Sequence, residues 1–257
     1  MADKSVISAD RIYRFFTTAL GFVIFGVAGS LFQLVLLPWT IKSTKGDLIR
    51  QKQARRMVSA SWKFFTKYLT KSKTCDASFH GFERLGKTGQ MILCNHPSLL
   101  DVVFMISRLP EINCLIKQDL QKNPVMKAQI KACGYIPNSE DLDFIDKINT
   151  VLQEECLLVF PEGTRTKEGK PIEFGRGAVS LGLRSASVIT PVVIKMNPQN
   201  WKKHQPWYRI PHKRPMYEFI VGEDINPQDW LKEKPLPIAA RRLNEYLQTY
   251  FNERVQQ

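Results

Sequence analysis

The alternation of hydrophobic and polar positions changes texture along the chain. From Phe15 to Ile41 the run FFTTALGFVIFGVAGSLFQLVLLPWTI holds no charged residue. A helix of about 20 apolar residues can cross a bilayer, so the run predicts a membrane-embedded helical element. It is too long for a signal-peptide core and lacks a clear small-x-small cleavage site. A buried core helix is the plainer alternative, and Pro38 with the glycines leaves a bent, re-entrant hairpin open. Lys42, Lys45, Arg50, Lys52, Arg55 and Arg56 follow, against a lone Asp47. On the positive-inside rule they put the next segment on the cytoplasmic side. Val58, Trp62, Phe65 and Leu69 then recur at helical spacing, with Lys63, Lys67 and Lys71 between them. That pattern predicts a second helix, lying at the membrane interface or packed on a soluble domain.

From about Thr74 short apolar runs alternate with helical patterns. Residues 91–94, 112–116, 156–160, 187–194 and 216–221 read as strands. Helical stretches are expected near 98–108, 119–133, 141–155 and 176–185, and residues 239–254 close the chain as an amphipathic helix. The alternation predicts an α/β fold: a largely parallel sheet flanked by helices, preceded by the membrane-embedded element. The expected division is residues 1–71 for the anchoring helices and 72–257 for the α/β domain.

Composition narrows the partners. Hydrophobic residues make up 44 % and charged residues 24 % of the 257, an ordinary globular mixture, but the net charge is +13. So basic a chain favours an anionic partner: a membrane surface, an acidic carrier protein, a phosphorylated substrate or nucleic acid. Cys75, Cys94, Cys114, Cys133 and Cys156 are odd in number and form no CxxC pair. Neither a zinc site nor a redox motif is suggested, and the reading is a reduced domain facing the cytosol.

Candidate chemistry sits at two strand ends, where ligands of open α/β sheets gather. Asn95-His96-Pro97 closes the run at 91–94, and Asp101 follows the histidine by five positions. Pro97 suits the first position of a helix, which sets Asp101 about one turn in and able to reach the His96 ring. Such a carboxylate fixes one imidazole tautomer and favours the imidazolium formed on proton abstraction. The same cluster also fits a structural histidine. Pro161-Glu162-Gly163-Thr164-Arg165 closes the run at 156–160 and adds an acid and a guanidinium on a turn. Arg can hold a phosphate through paired N–H groups, though an ordinary turn with an ion pair reads the same way. With no serine elbow and no cysteine in a local partner pattern, a base acting on a substrate hydroxyl is favoured over a covalent intermediate.

Taken together, NHPSLLD (95–101) and FPEGTRT (160–166) resemble the first and third motifs of the glycerolipid acyltransferase family, typified by 1-acylglycerol-3-phosphate acyltransferase. FGRGAVSLGLRSASVITPVVI (174–194) is similar to the region that follows in that family, and the resemblance spans roughly 81–195. It implies His96 as the base with Asp101 as its partner. Substrate binding would fall to Asn95, Lys117, Glu162, Gly163, Thr164 and Arg165. The implied reaction moves an acyl group from a thioester of acyl carrier protein or coenzyme A to a lysolipid hydroxyl, first of all 1-acyl-glycerol-3-phosphate. No metal or bound cofactor is implied. The implied setting is the inner or cytoplasmic membrane, with the catalytic domain facing the cytoplasm.

One stretch departs from the pattern. Residues 116–141 resemble the second motif, with Lys117, Pro124 and Gly134 in place. Where members acting on glycerol phosphates commonly carry an arginine, this chain has Asn138, Ser139 and Glu140. The departure bears on the acceptor and leaves acyl transfer untouched, so another lysolipid, an amino-acid lipid or a specialised glycolipid or polyketide-like acceptor stays open. A non-catalytic membrane adaptor is the third reading, opposed by the intact His96, Asp101, Glu162 and Arg165. Lys195, Lys202, Lys203, Arg209, Lys213 and Arg214, interleaved with Trp201, Trp207 and Tyr208, suit a lipid interface or an acidic carrier. Nucleic acid uses the same residue types but does not fit a hydrophobic amino terminus.

Overall fold

The computed structural model describes residues 8–41, 48–139, 143–167, 169–202 and 205–256. Two long helices, α1 (Ala9–Ile41) and α2 (Leu48–Lys71), precede β1 (Asp76–His80) and β2 (Gln90–Cys94). Then come α3 (Asp101–Arg108), β3 (Asn113–Ile116), α4 (Lys127–Cys133), β4 (Ile136–Pro137), α5 (Phe144–Glu154) and β5 (Leu157–Val159). The chain ends with α6 (Arg176–Ser185), β6 (Val188–Asn197), β7 (Met216–Val221), α7 (Pro227–Glu233) and α8 (Leu236–Gln256). The seven strands form one sheet in the order β1-β7-β6-β2-β5-β3-β4. Every neighbouring pair is parallel except β6 with β7.

The central strands are apolar on both sides because helices cover both faces. Met91 and Leu93 of β2, Leu157 and Val159 of β5, and Ile189 and Val193 of β6 pack against α5, α6 and α8 through Ile148, Val179 and Leu247. The alternate residues Ile92, Leu158, Val192 and Ile194 meet α2, α3 and α4 through Val58, Phe104 and Ile130. Segments 1–71 and 72–257 therefore share a core, since Val58, Phe65 and Leu69 of α2 are buried within it.

The five strands expected from the sequence are present, and so is the helix at the tail. Strands β1 and β4 and helix α7 come in addition. The helix expected over 119–133 is two pieces, a turn of 3-10 helix at Gln118–Lys122 and then α4. Asn123-Pro124 separates them, since a proline turns the residue before it away from helix. Gly134 ends α4 with φ of 62°, and a Cβ there would lie 2.4 Å from the Gln51 side chain of α2. The left-handed φ favours glycine at the join, whereas the Gln51 amide, at the end of a flexible side chain, could move aside.

Within α1, Ala9–Leu31 is long and apolar enough to cross a membrane. One of its faces is nevertheless packed. Arg14, Thr17 and Thr18 are buried, the Tyr68 hydroxyl donates to the Thr17 carbonyl (2.7 Å), and Phe25 stacks on Trp62. The opposite face exposes Phe16, Leu20, Val23, Val27, Leu31 and Leu34. Two arginines tie the start of α1 to the segment between β6 and β7. Arg11 donates to the Ile210 carbonyl (3.0 Å), and Arg14 to those of Pro211 and His212 (both 2.9 Å). Trp207 of that segment stacks on Phe15.

Candidate active site

Strands β2 and β5 run parallel in register, Met91 opposite Leu157 and Leu93 opposite Val159, so they release the chain side by side at one edge. His96 and Glu162 emerge as neighbours. The Glu162 Oε1 accepts the His96 backbone N–H (2.7 Å) and the Thr166 hydroxyl (2.9 Å), and the His96 carbonyl accepts the Thr166 N–H (2.8 Å). The two motifs, more than sixty residues apart, are thus stitched into one surface. Gly163, with φ of 64°, makes the turn, and nothing crowds the place of its missing Cβ. The His96 ring rests on Phe160, centroids 4.6 Å apart.

Asp101 stands 2.8 Å from His96 Nδ1 through Oδ2. Its side chain is fully buried, while that of His96 is 17 % exposed, so the pair has one dry end and one open end. The expectation of a helix from Pro97 is corrected: α3 begins at Asp101. Ser98 donates its N–H to Asp101 Oδ2 (2.7 Å) and its hydroxyl to Oδ1 (3.0 Å), so residues 97–100 wrap around the carboxylate instead of forming a helical turn. Asp101 still reaches the imidazole, held by these local bonds. With Nδ1–H given to Asp101, the lone pair of Nε2 is left as the basic site, a tautomer assigned from the bonding pattern.

Glu162 is also half-sheltered. Burial raises its pKa above the usual carboxylate value, against the bonds from the His96 N–H and Thr166 hydroxyl, which lower it. Arg165 Nη1 donates to the carbonyls of Trp201 (2.9 Å) and Lys202 (3.1 Å). Burial lowers the Arg165 pKa, while the charge of Asp101 acts the other way. Among the described residues its Nε and Nη2 have no hydrogen-bond partner, which leaves part of the guanidinium fork for an anion.

Other expected site residues have different surroundings. Asn95 was expected to touch substrate, but it is 1 % exposed and its amide is spent on the sheet. It accepts the Ile194 N–H (2.7 Å) and donates to the Ile194 carbonyl (2.8 Å), extending the pairing of β2 with β6 past the last strand residue. This is a correction, because burial and its two bonds to Ile194 hold the amide in the sheet and away from the open face of the site. Lys117 leaves β3 at the same sheet edge, beyond β5, and pairs with Asp119 on the surface (2.6 Å). No described contact joins it to His96 or Glu162. Thr164 is half-buried on the turn and makes no described side-chain hydrogen bond. Glu140 lies outside the described residues.

Residues 76–195, which contain both motifs, match the family profile described as Acyltransferase. That stretch of the chain is similar to this acyltransferase family. Relatives of the chain include the 1-acyl-sn-glycerol-3-phosphate acyltransferase of Cocos nucifera, 24 % identical over 89 % of this chain and 71 % of that protein. The protein of that name from Saccharomyces cerevisiae is 32 % identical over 46 % of this chain and 43 % of its own length. Among solved structures, the 1-acyl-sn-glycerophosphate (LPA) acyltransferase PlsC of Thermotoga maritima superposes over 96 % of both chains, with a TM-score of 0.68 at 18 % identity. That likeness shows the fold. The matched stretch and these relatives support an O-acyltransferase, and the N-terminal apolar helix together with the relatives suggests membrane association.

Sequence reasoning missed Ser98 and Thr166, although both lie inside the motifs. Short hydroxyl residues flanking an acid are common turn residues, so their type alone carried no signal. Among the described residues, no group of three or more His, Cys, Asp or Glu side chains could hold a metal ion.

Proposed function

We propose that the chain transfers an acyl group from a thioester, on acyl carrier protein or coenzyme A, to the hydroxyl of a lysolipid at a membrane surface. The first acceptor proposed is 1-acyl-glycerol-3-phosphate, giving phosphatidate, the activity named for the relatives above. The observation that carries this reading is the His96–Asp101 pair, 2.8 Å apart, buried at the acid and open at the base. His96 Nε2 takes the acceptor's hydroxyl proton as that oxygen attacks the thioester carbonyl. The tetrahedral intermediate collapses with loss of thiolate, and the imidazolium returns a proton to the sulfur. Asp101 stabilises the imidazolium throughout. No enzyme-bound acyl group and no bound cofactor is needed.

Arg165, with part of its fork unspent, supports an anionic acceptor. Its neighbour Glu162 holds the His96 backbone, so the base is tied to the turn that carries the anion site. The exposed apolar face of α1, with Trp207 beside it, supports attachment along a bilayer, the α/β domain lying on the cytoplasmic side of the inner membrane.

A panel of lysophosphatidate, other lysophospholipids and amino-acid lipids, offered with both thioesters and followed by lipid mass spectrometry, tests the reading. Phosphatidate formation that depends on His96 is the expected result. Transfer to a different acceptor alone keeps the chemistry and replaces the substrate. No transfer to any member of the panel defeats the proposal.

A further inference from the structure

Two buried hydroxyls stand behind the acid of the pair, and the reaction above uses neither. Ser98 and Tyr217 are both 0 % exposed. Ser98 Oγ lies 3.0 Å from Asp101 Oδ1, 2.7 Å from the Tyr217 hydroxyl and 3.1 Å from the Leu100 amide nitrogen. Valence gives each bond its direction. An ionised carboxylate only accepts and a backbone N–H only donates, so the single Ser98 proton goes to Asp101. Of the two Ser98 lone pairs, one receives the Leu100 N–H, and the other receives the Tyr217 O–H. Burial, and after it the charge of Asp101, keeps Tyr217 protonated and therefore a donor. Tyr217 belongs to β7, and β6 lies between β7 and the strand that carries His96, so the chain of bonds reaches across the sheet.

We propose that Tyr217, acting through Ser98, is a positioning residue for acyl transfer. It locks the Ser98 proton onto Asp101 Oδ1, fixing how the carboxylate lies and how its charge is shared. The inference rests on the reading of His96 as the base. Without the tyrosine hydroxyl, Ser98 loses the donor that polarises its O–H, and its bond to Asp101 Oδ1 is weaker and less well aimed. More of the negative charge then faces the imidazole through Oδ2. The other charged groups near the pair are Glu162 and Arg165, both on the turn after β5. The thiols of Cys94 and Cys75 nearby are held neutral by burial.

A steady-state comparison of Tyr217→Phe, Ser98→Ala and their double variant tests this, since phenylalanine keeps the ring and removes only the oxygen. Tyr217→Phe should lower kcat about 3- to 10-fold, and Ser98→Ala about 10- to 100-fold, with KM for both substrates unchanged. The double variant should match Ser98→Ala alone, because the tyrosine has no other route to the acid. In both single variants the acidic limb of kcat/KM should move to higher pH, as the less-shared carboxylate holds the imidazole's proton more firmly. A wild-type kcat and pH profile in Tyr217→Phe overturns the proposal, and so does a further loss of kcat on adding Tyr217→Phe to Ser98→Ala. His96→Ala, assayed alongside, separates the two ideas. An active His96→Ala defeats the base itself. A dead His96→Ala beside a wild-type Tyr217→Phe defeats only the relay.

Discussion

The two edges of the central strands carry similar side chains and use them differently. At the amino edge, Arg55 of α2 donates to Glu155 Oε1 (2.7 Å), and the other Glu155 oxygen accepts from the Asn113 amide (2.8 Å). Arg55 also donates to the carbonyls of Cys133 (2.7 Å) and Glu111 (3.2 Å), and the two charged side chains are 1 % and 2 % exposed. At the carboxyl edge, Arg165 and Glu162 are only partly buried, the histidine beside them opens to solvent, and the guanidinium is incompletely used. Residue type does not separate a scaffold from a reaction site; access does. A pair shut away from solvent can only hold α2, α4, β3 and β5 together, even though Arg55 Nη2 is buried without a described partner. A half-sheltered set bound on one side keeps a face for a ligand.

The sharpest break in that comparison is His96→Ala. It should cut acyl transfer by ~10²–10⁴ with thermal unfolding unchanged, read by thioester-dependent product formation beside a melting curve. Equal loss of activity and of fold would make the carboxyl edge a scaffold too. The reverse result is expected at the other edge. Arg55→Met leaves the Glu155 charge buried and alone, and denaturant unfolding should show a loss of ~3–5 kcal/mol. The kcat of the molecules that remain folded should stay at the wild-type value. Restoration of most of that stability in Arg55→Met/Glu155→Leu would show that the pair's worth lies in mutual compensation.

Arg165→Ala comes next. An Arg–phosphate contact of ~1.5–3 kcal/mol predicts a 10- to 100-fold rise in KM for a phosphate-bearing acceptor, with little change for an uncharged one. Equal effects on both acceptors would place Arg165 with Arg55, as scaffold. The smallest effect is that of Glu162→Gln. A carboxyl whose pKa is raised by folding binds its proton more readily in the folded state, so it disfavours folding above that pKa and ceases to do so as the pH falls through it. The amide keeps the oxygen that accepts the His96 N–H and discards the charge. Glu162→Gln should therefore melt higher than the parent near neutral pH, with the gap closing as the solution is acidified.

The carboxyl edge was readable in the sequence and the amino edge was not, for a physical reason. His96, Asp101, Glu162 and Arg165 sit just after apolar runs, and parallel pairing of those runs brings them together. Arg55 and Glu155 are a hundred positions apart, in a helix and a helix end that look solvated until the packing of α2 is known. Periodicity located β2, β5 and β6, which are buried on both faces. It missed β1, whose sequence DASFH is half-exposed, and β4, which is only two residues long. The helix α7 was legible in principle, since Asn226 caps it by accepting the Gln228 N–H (3.0 Å) and Pro227 opens it. Pro97 misled because Ser98 gives both its donors to Asp101, a competition that helix signals do not weigh. The second hydroxyl, Tyr217, lies 119 positions from Ser98, beyond any local pattern.

The segment between β6 and β7 behaves as a beam clamped at both ends. Arg11 and Arg14 grip it at Ile210–His212, and its Trp201 and Lys202 carbonyls cradle Arg165. Shortening the chain to begin near Leu48, which removes α1 and keeps the packed α2, takes away one clamp and leaves the four carbonyls of Ile210 to Lys213 without their guanidinium partners. Such a chain should lose grip on its acceptor as well as on the bilayer, seen as a raised acceptor KM even in mixed micelles where attachment is irrelevant. The apolar helix is then a wall of the workshop, and trimming it alters what the enzyme can hold.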